Sequence, residues 1–182
     1  MKALFAGLVV TAAVLATDVE SQSVKTVVTA SNGVAVDVYT DDFANRYEYS
    51  AADLLPDDSH AFVSRVDAAG EKGAVNIIGT IYYRGDWRFY SSALFRGGSP
   101  ATFVERRREV DSCSGSRYSR GCSLSEGFGI HLSPANISEH AVDGVIDIQV
   151  RARSTDAMML RIPVAQIDAV NEVADRRSAP AQ

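Results

Sequence analysis

Past its first sixteen residues this 182-residue chain has no apolar run that approaches the roughly 20 residues a helix needs to cross a bilayer core. Its two cysteines and three histidines leave no C-x-x-C pair for thiol redox chemistry and no Cys/His cluster for structural zinc. No two histidines among His60, His131 and His140 are spaced i, i+2 or i, i+4, so a metal site has to be assembled by the fold, for example from His131, His140 and Asp143. There is no G-x-S-x-G elbow, no S-x-x-K and no P-loop. Gly127-Phe128-Gly129 lacks the third glycine and the strand-to-helix setting of a dinucleotide site. Lysine is scarce as well, three against fifteen arginines, which reads as a GC-rich bacterial source. The formal charge of −5 gives the chain as a whole no reason to bind nucleic acid or anionic lipid.

With 46% hydrophobic and 23% charged residues, 13 Gly and 5 Pro, the sequence is neither a disordered acidic polymer nor a collagen-like repeat. A chain of this length buries about two thirds of its unfolded surface and folds as one domain. No repeat of fixed period, low-complexity tract or linker divides it.

The opening segment has the form of an export signal. Lys2 is followed by an apolar core from Ala3 to Ala16 with no acidic residue, and Val14 and Ala16 place the small side chains a signal peptidase accepts. Cleavage is expected between Ala16 and Thr17, giving a signal peptide 1–16, a β-rich domain 17–177 and a disordered tail 178–182. The apolar core is too short for a retained anchor. The first cysteine is Cys113, so no lipid attachment site follows the core. The chain is therefore expected in the periplasm or secreted, where Cys113 and Cys122 pair with each other across a polar loop.

Alternation of apolar and polar residues runs through most of the remaining sequence and signals half-buried strands. Expected strands are Val24 to Ala30, Val34 to Val38, Arg46 to Ser50, Ala61 to Val66, Ala74 to Arg84, Arg88 to Phe95, Ala101 to Val110, Ser123 to His131, Val145 to Arg153 and Met158 to Ile162. Ile146, Ile148 and Val150 alternate with Asp147, Gln149 and Arg151, which predicts one face in water. Turn residues separate the runs, with Asn32-Gly33 a hairpin signal. Helices are expected over Pro134 to Ala141, capped by Ser133, and after Pro163, where Val164, Ile167, Val170 and Ala174 share a face. The fold class is mainly β, an antiparallel β-sandwich or a strongly curved sheet with a short helix and a C-terminal helix.

The densest aromatic stretch, Tyr82 to Tyr90, reads as a hairpin in which Tyr82, Trp87 and Phe89 form cross-strand pairs. Exposed rings beside Arg84 and Arg88 suit a sugar or an anion. Packing is the ordinary reason aromatics gather in strands, so core and rim positions are the reading favoured for most of these rings. Arg106-Arg107-Arg108 follows; in a regular strand Arg106 and Arg108 share one face, where Arg117 and Arg120 extend a basic rim. A solvated strand face with Glu105 and Glu109 as neighbours is the favoured account of the triplet. Asp41-Asp42 and Asp57-Asp58 fall in expected loops, where adjacent acids are ordinary and the sequence does not distinguish them from a glycosidase pair.

Tyr83 through Trp87-Arg88-Phe89-Tyr90, then Ala93, Gly97, Arg108, Cys113, Cys122 and Glu126, an alternating strand, and Ile162-Pro163 before a last helix make an ordered pattern. Over about Ala74 to Asp175 it resembles a group of uncharacterised exported bacterial proteins, lipoproteins among them. The resemblance implies the fold and an exported location, without the lipid cysteine, and implies no activity. The expectation is a non-enzymatic periplasmic or secreted binding domain for an envelope protein or surface polymer, needing no cofactor, with Trp87, Arg84, Arg88, Arg106 and Arg108 as its binding residues. The alternatives are a small-molecule or anion binder with a pocket between sheet and C-terminal helix, and a hydrolase with an unrecognised site.

Overall fold

A computed structural model describes residues 23–55, 59–113 and 121–178. The signal segment 1–16, the tail residues 179–182, Asp57-Asp58, and the loop positions Arg117 and Arg120 lie outside the described residues. In chain order the elements are β1 (Val24–Thr29), β2 (Ala35–Asp41), β3 (Arg46–Ser50), β4 (His60–Ala68), β5 (Val75–Gly85), β6 (Tyr90–Phe95), β7 (Pro100–Cys113), β8 (Cys122–Leu132), α1 (Pro134–His140), β9 (Ala141–Val142), β10 (Val145–Ala152), β11 (Ala157–Pro163) and α2 (Val164–Ser178). The protein is mainly β, and of the two expected forms the curved sheet is the one found. Eleven strands make one sheet in the order β1-β2-β3-β4-β5-β8-β7-β6-β10-β11, with β9 also on β10. Every pairing is antiparallel.

Inward-facing residues of nine elements form a single core, with Val36, Tyr49, Val63, Ile77, Phe128, Ile130, Ile148, Leu160 and Val170 among its members. The sheet is curled, because α2 lies against β1 to β4 at one end of the strand order and against β11 at the other. Ile167, Val170, Val173 and Ala174 are the buried stripe of α2, spaced as one helix face requires. Polar contacts fix the helix: Ser31 Oγ donates to Glu172 at 2.7 Å and Asn32 Nδ2 to the Ala165 carbonyl at 2.8 Å. Those two residues form the β1–β2 turn, where Gly33 takes φ +83°, the left-handed region the Asn-Gly signal anticipates. The helix includes Ser178, which the sequence assigned to the tail. At α1 the Ser133 cap is in place, its hydroxyl accepting from Asn136 N at 3.1 Å.

The aromatic hairpin expected at Tyr82 to Tyr90 does not form. β5 has β4 on one side and β8 on the other, paired from Val75↔Leu132 to Gly85↔Cys122, so no edge is left for β6. Residues 86–89 instead carry the chain past β8 and β7, and Tyr90 begins β6 beyond them. A second departure is the register of β7, where Glu105 faces Phe128 but Arg108 faces Glu126, leaving Arg106 and Arg107 as a bulge opposite Gly127. The predicted wet face of β10 also has an exception, because Asp147 is buried beneath Arg96 and Arg161.

Cys113 and Cys122 are bonded and lie directly opposite each other across β7 and β8. Closing so short a loop restricts the unfolded chain by about 2–3 kcal/mol on the chain-entropy account. Cys113→Ser with Cys122→Ser is expected to lower the unfolding free energy by about that amount, read from urea melts of the oxidised wild type and the double variant. Coincident melts would show that the bond constrains nothing.

Candidate functional site

The link between β5 and β6 sets up the site. Residues 86–89 leave the sheet ladder, so their backbone N–H groups need acceptors from elsewhere. Glu126 supplies them. It lies on the core face of β8, in parity with Leu124, Phe128 and Ile130, and is 2% exposed. Its Oε1 accepts from the Tyr83 hydroxyl and from the backbone N–H of Arg88 at 3.2 Å and Phe89 at 2.9 Å. Its Oε2 accepts from Tyr90 N at 3.0 Å and Arg108 Nε at 3.1 Å. Burial pushes the Glu126 carboxyl up, but the Tyr83 hydroxyl, Arg108 and the two backbone amides outweigh it and hold the group below the usual carboxylate range. Burial and the bond to Glu126 push the Tyr83 phenol up to about 12. A carboxylate with both oxygens occupied by five donors is a clamp, with no free lone pair aimed at a substrate.

The clamp holds Phe89 at φ +56°, a left-handed conformation that side chains other than glycine adopt at a cost. The residue keeps 38% of its surface exposed. The link is tied on its other side to the β10–β11 turn, where Arg153 N donates to the Phe89 carbonyl at 3.0 Å. Guanidinium groups gather on the aromatic rings. Arg108 sits 5.2 Å and Arg153 5.9 Å from the Phe89 centroid, and Arg88 lies 4.4 Å from that of Tyr83. Trp87 is half-buried with its ring 6.4 Å from Phe89. Arg88 also donates to the Tyr90 hydroxyl at 3.3 Å and faces Asp156 at 3.5 Å, while Arg108 pairs with Glu105 at 2.6 Å. The result is a partly exposed aromatic ring bordered by guanidinium groups, Arg88 and Arg108 paired with carboxylates and Arg153 without an ion pair among the described residues.

Of the five expected binding residues, Trp87, Arg88 and Arg108 come together here, and Arg84 and Arg106 do not. Arg84 is on the outer face of β5, opposite in parity to Tyr83. The β7 bulge turns Arg106 outward as well, onto the face of Gly127 and Gly129. A Cβ on either glycine would stand 3.4 Å from Arg106 atoms, so the two glycines give the arginine room to lie flat. Arg106 and Arg108 therefore point to opposite faces, contrary to the regular alternation. Arg107 pairs with Glu109. Phe89, Arg153 and Glu126 were absent from the expected set. The signal for Glu126 was present: an acid at a core parity position in an otherwise apolar strand face.

Other expectations resolve as packing. His140 stacks on Phe95 with centroids 4.0 Å apart and lies 3.4 Å from Ser99 Oγ, while His131 is on the outer face of β8. Among the described residues no three His, Cys, Asp or Glu side chains gather to hold a metal ion. Asp41 closes the β2 turn by accepting from Phe43 N and Ala44 N. Between sheet and C-terminal helix there is a cleft of about 250 Å³, lined by Val28, Val38, Tyr49, Val173, Arg176 and Arg177. Its arginines are already engaged, Arg176 with Glu172 and Arg177 over Tyr47 at 4.2 Å. Among the described residues no helix is long and apolar enough to cross a membrane. No protein-family model, no curated protein and no solved structure matches this chain.

Proposed function

We propose that the protein is an exported, non-enzymatic binding domain whose Phe89 face takes acidic groups of an envelope or surface polymer. One observation carries this reading: a buried carboxylate holds an exposed aromatic residue in a strained backbone conformation, framed by two arginines. Backbone strain at a residue that keeps over a third of its surface open is what a contact residue shows. An anionic group meets Arg153 while the flat Phe89 and Trp87 rings cover the apolar part of the same ligand. Export is supported by the pattern of residues 1–16 and by a disulfide, which persists in an oxidising compartment. The bacterial periplasm is the location that fits both, and the resemblance to exported bacterial proteins agrees with it.

Trp87 is the only tryptophan, so its emission reports on this face. Titration with polygalacturonate, a carboxylated polysaccharide probe, is expected to give a saturable change in that emission. Arg153→Ala and Phe89→Gly are each expected to weaken binding by about tenfold. Unfolding curves check that both variants keep the fold. Wild-type affinity in both folded variants, or no response of the wild type to the probe, would remove the assignment.

A further inference from the structure

The outer surface of β4, β5, β7 and β8 carries an open depression of about 490 Å³ that the Phe89 face does not use. Its size falls within the range of small-ligand sites. Tyr82 stands in it, 44% exposed, and the ring is held in place before any ligand arrives. Tyr82 N donates to Ser59 Oγ at 3.1 Å, and His60 meets the Tyr82 ring edge-on at 79° with centroids 6.2 Å apart. His60 is itself fixed, its Nδ1 lying 2.6 Å from Asp53 Oδ2. Asp53 Oδ1 accepts from the backbone N–H of Leu55 at 3.0 Å and of Ala61 at 2.9 Å. A chain of contacts from backbone to carboxylate to imidazole to phenol thus orients an aromatic platform, a form of preorganisation that lowers the cost of binding.

Polar groups of both kinds line the same depression. Arg84 shares the outer face with Tyr82 and is paired in register with Ser123, which in turn faces Ser112. Asp111 lines it too, with one carboxylate oxygen accepting from Ser125 Oγ at 3.2 Å, and Tyr83 and Leu124 complete the lining. A purely anionic ligand is met by Arg84 and opposed by Asp111, and a cation meets the reverse. A sugar ring satisfies all of them. Its hydroxyls both donate and accept, matching a carboxylate, a guanidinium and two serine hydroxyls, and its C–H face lies flat on an aromatic ring. We infer that this depression binds a short stretch of oligosaccharide, with Tyr82 as the stacking platform and Arg84 and Asp111 holding hydroxyl groups. Phe89 is not among its lining residues, and Tyr82 points to the side of β5 opposite Tyr83, although Tyr83 also borders the depression.

The experiment is an array of immobilised neutral oligosaccharides probed with the wild-type protein, followed by titration of the best-retained glycan. Tyr82→Ala is expected to weaken that glycan by about tenfold, while Tyr82→Phe, which keeps the stacking face, stays within about threefold. Arg84→Ala and Asp111→Asn are expected to weaken it, and Phe89→Gly to leave it unchanged. Tyr82 is exposed, and unfolding curves of each variant confirm that the fold is kept. Retention of no glycan by the wild type would overturn the inference. So would wild-type affinity in Tyr82→Ala, or a loss seen in Phe89→Gly and not in Tyr82→Ala.

Discussion

Glu126→Gln is expected to lose about 3–5 kcal/mol of stability at pH 7, the range found when one partner of a buried charge pair is removed. For a protein of this size that is roughly 10 °C in Tm. The amide keeps one acceptor oxygen, but its NH2 group faces donors from Tyr83 and the 88–90 backbone, and each buried donor left unmatched costs about 1–3 kcal/mol. Arg108 keeps only Glu105. The pH dependence gives a second readout. The folded-state carboxyl lies below its unfolded value of about 4.3, so its stabilising effect is complete above that value and is lost as pH falls through the lowered one. Melts between pH 7 and pH 3 should therefore converge for the two proteins as acid removes from the wild type what the substitution has already removed. Parallel curves over the whole range would show that the charge on Glu126 is not what holds the link. The variant should also lose the polygalacturonate response, because Phe89 is then no longer clamped.

A loss of similar size is expected from Arg65→Met. Arg65 is 4% exposed on the core face of β4. Its Nε and Nη2 donate to the two oxygens of Asp67 at 2.8 and 3.0 Å, and its Nη1 reaches Asn171 at 3.1 Å and Asp175 at 3.2 Å on α2. Asp67 is buried too and accepts from Gly73 N at 2.8 Å. Methionine fills the volume but leaves the Asp67 charge without its guanidinium, a cost of about 3–5 kcal/mol. Replacing both partners, Arg65→Met with Asp67→Leu, removes the buried charge and should recover part of that loss, leaving the Gly73 N–H as the residual cost. The double variant is thus expected to be more stable than Arg65→Met alone in urea unfolding. Strictly additive losses would show that the two residues act separately. Asp175 keeps Lys72 at 2.9 Å in either case, so its contribution to the helix contact largely survives.

Strands were legible wherever alternation was regular. Arg46 to Ser50 coincides with β3, and the other expected strands differ from the observed ones mainly at their ends. Pairing was less legible. Gly85-Asp86 has the chemistry of a hairpin turn, and nothing local reveals that β8 occupies the edge of β5 that β6 would need. That competition is decided by an eleven-residue ladder formed with a segment far along the chain. The Arg106-Arg107-Arg108 bulge was hidden for a related reason: three identical residues carry no parity mark, so an inserted position cannot be seen among them. Glu126 was visible in principle, as a charge whose neighbours two residues away, Leu124 and Phe128, are buried and apolar, and Arg65 and Asp67 as adjacent charges on the face that Ala61 and Val63 bury. Such a charge implies a partner supplied by the fold, but the partner's identity depends on tertiary contacts that one strand's pattern does not contain.

The contacts of the last helix have a consequence for how the molecule is made. Ser31 and Glu172, 141 positions apart, are joined directly, and Arg65 reaches Asp175 over a separation of 110. The earliest strands therefore emerge from the ribosome with their apolar side uncovered and stay so until nearly the whole chain has been synthesised. Such long-range closure makes for slow folding. Trimming the chain before Val164 should therefore yield aggregates, not a smaller native protein.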